Sequence, residues 1–364
     1  MRIGAISRRR AMAGFGSFVA GSTLLNSQSA VKLSGEAPGR TAPMGELINA
    51  LEFEPMAQLK LNWTAYHEIA GGDRRAFDRI TYRPRIMVNT EEMDLTTELF
   101  GQKMFCPIIA GPISEQARFH PEAELATIRG CADAKSVAII SSRSSVPAEK
   151  IAAEAKTALW YQVFPEADLN TLKSRIGKAM QAGFKALCIT VGAPYNPAIS
   201  MPPAPSHLQA LGGPATDWKA IDTLRQGVNA PVLLKGIMRP EDAAEAVKRG
   251  IQGIVVSNYG GQLLNGEADP ISVLPGIADA IAGKIPILSD GSIRRGSDVV
   301  KSLALGARAV LLGRPVMWGL AAYGSGGVQS VIELIQTEMA KDMAMCGKSS
   351  VQLLNRDVVK LHRW

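Results

Sequence analysis

The chain has 364 residues, 46% of them hydrophobic and 20% charged, with 35 Gly and 21 Pro; it can bury a large core, which excludes a disordered, collagen-like or disulfide-scaffold protein. The formal net charge is +7, but Arg2, Arg8, Arg9 and Arg10 precede the first acidic residue, so without residues 1–30 the chain carries +3. The basic balance belongs partly to a leader, and no nucleic-acid partner is implied.

Ser7-Arg8-Arg9-Arg10 leads into an uncharged stretch, Ala11 to Leu25, rich in Gly, Ala and Ser, and then into Asn26 to Ala30. This is the layout of a twin-arginine export signal, with cleavage expected near Ala30 and a periplasmic product. A disordered basic tail is the alternative. The stretch is too short and too Gly-rich for a membrane span, which takes about 20 apolar residues, so no stable span is expected after signal removal. A twin-arginine route carries folded proteins and suits one that must load a noncovalent cofactor before export. Residues 31–45 read as a linker and 46–364 as a single domain.

Eight short apolar runs follow: 107–110, 137–141, 159–164, 186–191, 232–235, 253–257, 285–289 and 309–312. Between them lie helix-like stretches at 121–134, 147–155, 169–182, 217–226, 240–249, 271–282 and 297–305, several of which open with Pro at a first-turn position. Continuous apolar strands joined by helices mean a parallel sheet covered on both faces, and eight such units predict an α/β fold, the (β/α)8 TIM barrel. A doubly wound sheet is the rival, but no Gly-rich phosphate turn follows the first strand.

The predicted strands end in Gln162, Thr190, Lys235, Ser257, Asp290 and Gly313-Arg314, at the carboxyl ends that form a barrel's active face. After the last two strands come Asp290-Gly291-Ser292-Ile293-Arg294 and Gly313-Arg314-Pro315. Gly and Ser let backbone N–H groups approach an anion, and Arg294 and Arg314 add forked donors and charge, so a phosphate site is predicted there.

With these segments, together with Arg75 to Ile80, Arg83 to Ile86, His120 to Glu124, Leu233 to Gly236, Val256 to Gly261 and Met343 to Gly347, residues 66–353 resemble the FMN-dependent 2-hydroxy-acid dehydrogenase and oxidase family. That group contains glycolate oxidase, lactate oxidase and mandelate dehydrogenase. The resemblance implies FMN as cofactor, a small-molecule substrate, an unidentified electron acceptor and a homo-oligomer. It places Lys235 beside the flavin ring as a fixed cation, and Ser141, Gln162 and Thr190 at the isoalloxazine and ribityl groups. It puts Asp290, Gly291, Ser292, Arg294, Gly313 and Arg314 at the ribityl and phosphate groups, with Ser257 also on the flavin side. Tyr66 matches the tyrosine that the family places near the substrate carboxylate, although it could equally be a packing residue.

The match breaks on the substrate side. Where the family carries the histidine that accepts the substrate's hydroxyl proton, this chain has Tyr259. A tyrosine with a reference pKa near ~10 donates rather than accepts at neutral pH. The arginine that grips the substrate carboxylate is matched by Gln262, the aspartate that pairs with the histidine by Gly192, a second arginine by Ile199 and a tyrosine by Phe164. The loop after the fourth strand is short and Pro-rich (Pro194, Pro197, Pro202, Pro203, Pro205), which suggests a more open site. Arg118 and Arg143 could meet an anion from another direction, or be surface arginines.

No histidine (His67, His120, His207, His362) ends a strand, although His207 could swing over the flavin. Cys106, Cys131, Cys188 and Cys346 lie far apart with no metal-ligand spacing, so no metal site is expected. The leading expectation is an oxidoreductase with an atypical substrate, Lys235, Tyr259 and Tyr66 being the catalytic candidates. A non-redox flavin isomerase and an inactive FMN binder remain as alternatives.

Overall fold

Each of the eight expected apolar runs becomes a strand in the computed structural model, which describes residues 40–166, 168–191, 217–259 and 268–362. The strands are β1 (Ile108–Ala110), β2 (Val137–Ser141), β3 (Leu159–Val163), β4 (Leu187–Thr190), β5 (Val232–Ile237), β6 (Gly253–Val256), β7 (Ile287–Ser289) and β8 (Ala309–Leu312). They pair in parallel in chain order, and β8 closes on β1 through Val310 opposite Ile108 and Leu312 opposite Ala110. This closed barrel belongs to a compact unit, Thr41–Trp364. Of the remaining unit only Arg40 is described, so the expected leader lies outside the described residues.

The runs are apolar throughout because both of their faces are buried. Ile109, Val137, Ile139, Trp160, Cys188, Leu233, Val255, Leu288 and Leu311 point into the barrel and form one cluster, while alternating neighbours such as Ile108, Ile140 and Leu234 pack under the helices. A hairpin that the sequence reading did not anticipate, Thr97–Leu99 with Gln102–Met104, stoppers the amino end of the barrel. Its turn residue Phe100 stacks edge-on against Trp160 with ring centroids 5.6 Å apart, and Trp160 Nε1 donates to Gln102 Oε1 at 3.2 Å. With that end closed by side chains, polar groups converge only at the other.

Helices α1 (Phe53–Lys60), α2 (Trp63–Ile69) and α3 (Arg75–Asp78) precede the barrel. The expected outer helices follow as α4 (Ala123–Asp133), α5 (Ala148–Glu154), α6 (Leu169–Gln181), α7 (Trp218–Arg225), α8 (Pro240–Lys248), α9 (Pro270–Ile281) and α10 (Gly296–Ala304). Of the expected openings Pro240 does open α8, where the missing N–H leaves nothing unsatisfied, whereas Pro147 is the N-cap of α5 and Pro121 precedes α4; α9 begins one residue earlier than expected, at Pro270. The eighth, α11 (Arg314–Met345), was not anticipated; it breaks at Tyr323 and Gly324, where Gly324 takes φ 61. The linker expected over residues 31–45 is already folded at its end: Ala42 is buried, and its carbonyl accepts from the Tyr323 hydroxyl at 2.6 Å. All four cysteines are buried and free, and burial pushes the Cys131 and Cys188 thiols up to about 12. Among the described residues no helix is long and apolar enough to cross a membrane, and no group of side chains could hold a metal ion.

The chain that covers the carboxyl rim is fastened by Asp298, a fully buried carboxylate in the first turn of α10. Arg74 Nη2 donates to both of its oxygens at 2.8 and 3.0 Å, and the backbone N–H groups of Arg294 and Arg295 donate to Oδ2 at 2.9 and 3.0 Å. Asp298→Ala leaves a part-buried guanidinium and two amides without their acceptor, and is expected to cost about 3–5 kcal/mol. Chemical denaturation of the purified protein measures this; a loss under about 1 kcal/mol would contradict the clasp.

Candidate active site

Because parallel strands end at one rim, their last polar side chains become neighbours. Ser141 lies opposite Gln162 in register, and Thr190 opposite Lys235. Gln162 Nε2 donates to Thr190 Oγ1 at 2.8 Å, while Gln162 Oε1 is buried with no partner among the described residues. Such an acceptor asks for a donor that the protein itself does not supply. Lys235, 7% exposed, donates to Ser257 Oγ at 2.7 Å and pairs with Asp290 Oδ2 at 2.9 Å. The other carboxylate oxygen, Asp290 Oδ1, is buried and likewise without a partner.

Tyr259 stands directly beyond the end of β6, its ring centroid 5.1 Å from Lys235 Nζ and its N–H donating to Ser257 Oγ at 3.3 Å. Its φ of 57 is one a bulky residue rarely adopts. Room for the ring comes from a bulge in β5, where Gly236 takes φ 115; a Cβ there would lie 2.5 Å from the Tyr259 hydroxyl oxygen and 1.9 Å from the Val191 carbonyl oxygen. The phenol and the ammonium are thus packed as one unit.

A second polar group lies after β7 and β8. The Arg294 guanidinium is 4% exposed; it donates to the Ile293 carbonyl at 2.9 Å, to the Gly71 carbonyl at 2.9 Å, and lies over the Trp318 ring at 4.9 Å. Arg314 donates to the same Gly71 carbonyl at 3.0 Å. Burial, then the neighbouring Arg314 charge, draws Arg294 down to about 9, and burial lowers Arg314 also. The buried Arg294 and the half-buried Arg314 thus converge on one carbonyl, with the Glu54 carboxylate acting on both, and an added anion between them would offset their mutual repulsion. With the left-handed backbone of Gly291 (φ 87) and Ser292 (φ 57) beside them, these residues fit a phosphate monoester. The unpartnered Gln162 acceptor and the Lys235 cation fit the ring of a flavin, so the residues present suit FMN.

Both groups border one cavity of about 160 Å³. Of the residues expected from sequence, Gln162, Thr190, Lys235, Tyr259, Asp290, Gly291, Ser292, Arg294, Gly313 and Arg314 all line it. Ser141 and Ser257 stand behind the wall, where Ser141 Oγ lies 3.0 Å from Ser114 Oγ and Ser257 holds Lys235.

Tyr66 does not line the cavity. Its hydroxyl turns to Glu54 Oε1 at 3.5 Å, and burial together with that carboxylate raises its pKa. Helix α2 instead presents Glu68 and Ile69. The buried stripe of α2 is Ala65, Glu68 and Ile69, the helical spacing i, i+3, i+4, and this is the signal that could have drawn attention to Glu68. Glu68 forms an ion pair with Arg118, which also lies 3.6 Å from Glu115. Arg143 lies off the wall, over the Phe164 ring at 5.4 Å. Phe119 and Phe164 also line the cavity. Gly192, Ile199, His207, Gln262 and the Pro-rich loop lie outside the described residues.

The family described as FMN-dependent dehydrogenase matches residues 65–200 and 198–361. L-lactate oxidase of Nostoc sp. is 35% identical over 358 residues, covering 86% of this chain and 98% of that protein. 2-Hydroxyacid oxidase 1 of Homo sapiens is 34% identical over 319 residues, covering 78% and 86%. A crystal structure of mandelate oxidase with (S)-2-phenylpropionate is similar with a TM-score of 0.80 at 34% identity, covering 87% of this chain and 100% of that one. Shared sequence over most of the chain, the shared barrel and a rim shaped for a flavin phosphate lead to one assignment: the chain belongs to the FMN-dependent dehydrogenase family of 2-hydroxy-acid oxidases and dehydrogenases, and is an FMN-dependent oxidoreductase.

Proposed function

We propose that this oxidoreductase acts on a substrate other than a small 2-hydroxy carboxylate. One observation carries the reading: next to Lys235, where the family resemblance expects an imidazole base, the wall presents the Tyr259 phenol. A phenol with a reference pKa near ~10 keeps its proton at neutral pH, so Tyr259 serves as a donor to substrate oxygen. The charge inventory supports the same reading. Lys235 is engaged by Asp290 and Ser257, and Arg118 lies with Glu68 and Glu115. Residues 192–216 and 260–267, which follow β4 and Tyr259, contain neither Lys nor Arg. Bidentate recognition of a carboxylate needs such a fork.

Arg294 and Arg314 would hold the FMN phosphate, Asp290 with the backbone of Gly291 and Ser292 the ribityl chain, and Gln162 and Thr190 the ring, with Ser141 behind them. When bound, FMN supplies a two-electron acceptor. Lys235 contributes a fixed positive charge, held in place by Asp290 and Ser257, that stabilises negative charge developing in the cavity without reorganising. Phe119 and Phe164 add apolar surface to the lining.

Three outcomes are expected. Arg294→Met loses one charged partner of the phosphate, so the preference for FMN over riboflavin falls about 10–100-fold in equilibrium titrations of the apoprotein; an unchanged preference would remove the phosphate assignment. Lactate, glycolate and mandelate, mixed anaerobically with the yellow protein, leave its absorbance unbleached over minutes; rapid bleaching by any of the three overturns the substrate reading. Export by the twin-arginine route belongs to the same proposal, supported by Arg8, Arg9 and Arg10 ahead of the uncharged stretch Ala11 to Leu25. Replacing the three arginines together by lysine is expected to hold the protein in the cytoplasm in cell fractionation, and an unaltered periplasmic pool would end that part of the proposal.

A further inference from the structure

Ser114, on the cavity wall after β1, has no part in the flavin site expected from sequence. Its Oγ lies 3.0 Å from Ser141 Oγ, and the direction of that hydrogen bond follows from counting protons. Ser141 is 1% exposed and stands behind the wall, and its Oγ accepts from the Arg143 N–H at 3.2 Å. Among the described residues Ser114 Oγ is the one acceptor within reach of the Ser141 hydroxyl proton, and a buried donor is seldom left without an acceptor. Ser141 therefore donates and Ser114 accepts, which turns the proton of Ser114 away from Ser141. Ser114 is only half-buried and borders the cavity, so that proton is available to a ligand there.

Ser114 completes a row. Round the carboxyl rim from β1 to β5 come the Ser114 hydroxyl, the Gln162 amide and the Lys235 ammonium. Ser141 lies opposite Gln162, Gln162 donates to Thr190, and Thr190 lies opposite Lys235, so the members of the row are held in sequence. Gln162 Oε1 is the buried acceptor without a partner, and of the three ammonium protons of Lys235, Ser257 and Asp290 take two. The row thus offers a ligand a donor, an acceptor and a donor, in that order. The pyrimidine edge of a flavin presents the complement: the C4 carbonyl, the N3–H and the C2 carbonyl.

We propose that Ser114 is a flavin-binding residue whose hydroxyl donates to the C4 carbonyl of FMN, while Gln162 Oε1 accepts from N3–H. Ser141 is the positioning residue, since its own proton fixes the direction of the Ser114 hydroxyl. A donor on that carbonyl favours the reduced ring, which carries more negative charge on its oxygens, so Ser114 raises the reduction potential of the bound flavin.

The test uses the FMN-loaded protein and reads the midpoint potential of its flavin by equilibration with redox dyes, together with its absorbance spectrum. Ser114→Ala removes one hydrogen bond to the ring, so the reduced form is disfavoured about 3–10-fold. That is a midpoint about 15–30 mV more negative, at about 30 mV per tenfold for a two-electron couple, with a shift of the absorbance bands. Ser114→Ala also strands the Ser141 proton; the double variant Ser114→Ala with Ser141→Ala strands none and should show the same change, which keeps the test decisive if the single variant folds poorly. Ser141→Ala alone keeps the Ser114 donor but frees its direction, and should move the potential less than Ser114→Ala does. A wild-type potential and spectrum in the variants that lack the Ser114 hydroxyl would overturn the contact. So would a larger shift in Ser141→Ala than in Ser114→Ala, which would place Ser141 against the ring instead.

Discussion

A buried ammonium ties the chemistry of this protein to its fold. Lys235 stands near the carboxyl end of β5 in a nearly closed space, and a charge there is tolerable only while Asp290 and Ser257 stay within hydrogen-bond reach, at 2.9 and 2.7 Å. The three residues come from the ends of β5, β6 and β7, which are consecutive in the barrel. A slip of one residue in either pairing would turn one partner toward the helices and strand the charge. The registers Lys235 to Val255 and Ser289 to Val256 therefore do double duty: they close the barrel and assemble the clamp. Tyr259 extends the unit, since its ring needs both the ammonium beneath it and the bare Gly236 beside it.

The same physics explains what was readable in the sequence. Strands buried on both faces show as uninterrupted apolar runs, so all eight were legible, and their polar last residues marked the active rim. Most of the flavin-side wall followed from those ends and from the two arginines after the last strands. The hairpin that plugs the barrel was not legible, because Glu98, Gln102 and Lys103 dilute Leu99, Phe100 and Met104 below any recognisable strand period. Nor was α11, whose Tyr323-Gly324-Ser325-Gly326-Gly327 reads as a loop and proves to be a break between two helical segments.

Tyr66 and Glu68 show a subtler limit. Both lie on one short helix, separated by about 200° of rotation, so only one of them can face a given neighbour. Matching a tyrosine to a tyrosine chose by residue type. Packing chose by helical phase, and Ala65, Glu68 and Ile69 form the buried stripe.

The two ends of the cavity draw their charge from different parts of the chain, and that separation lets one end change while the other does not. Arg294 and Arg314 follow β7 and β8, and their mutual repulsion is offset by backbone carbonyls, the Trp318 face and the Glu54 carboxylate. Glu68 and Phe119 stand in α2 and the segment after β1, and Phe164 directly beyond β3. Side-chain substitutions in the second set leave in place the Gly71 and Ile293 carbonyls that hold the arginines, and the link from α2 to Trp318 under Arg294 is made by the Ile69 main-chain carbonyl and not by the Glu68 side chain. A scaffold divided in this way can keep its cofactor and redirect its substrate by exchanging a few side chains at strand ends and on one helix, with no strand of the barrel altered.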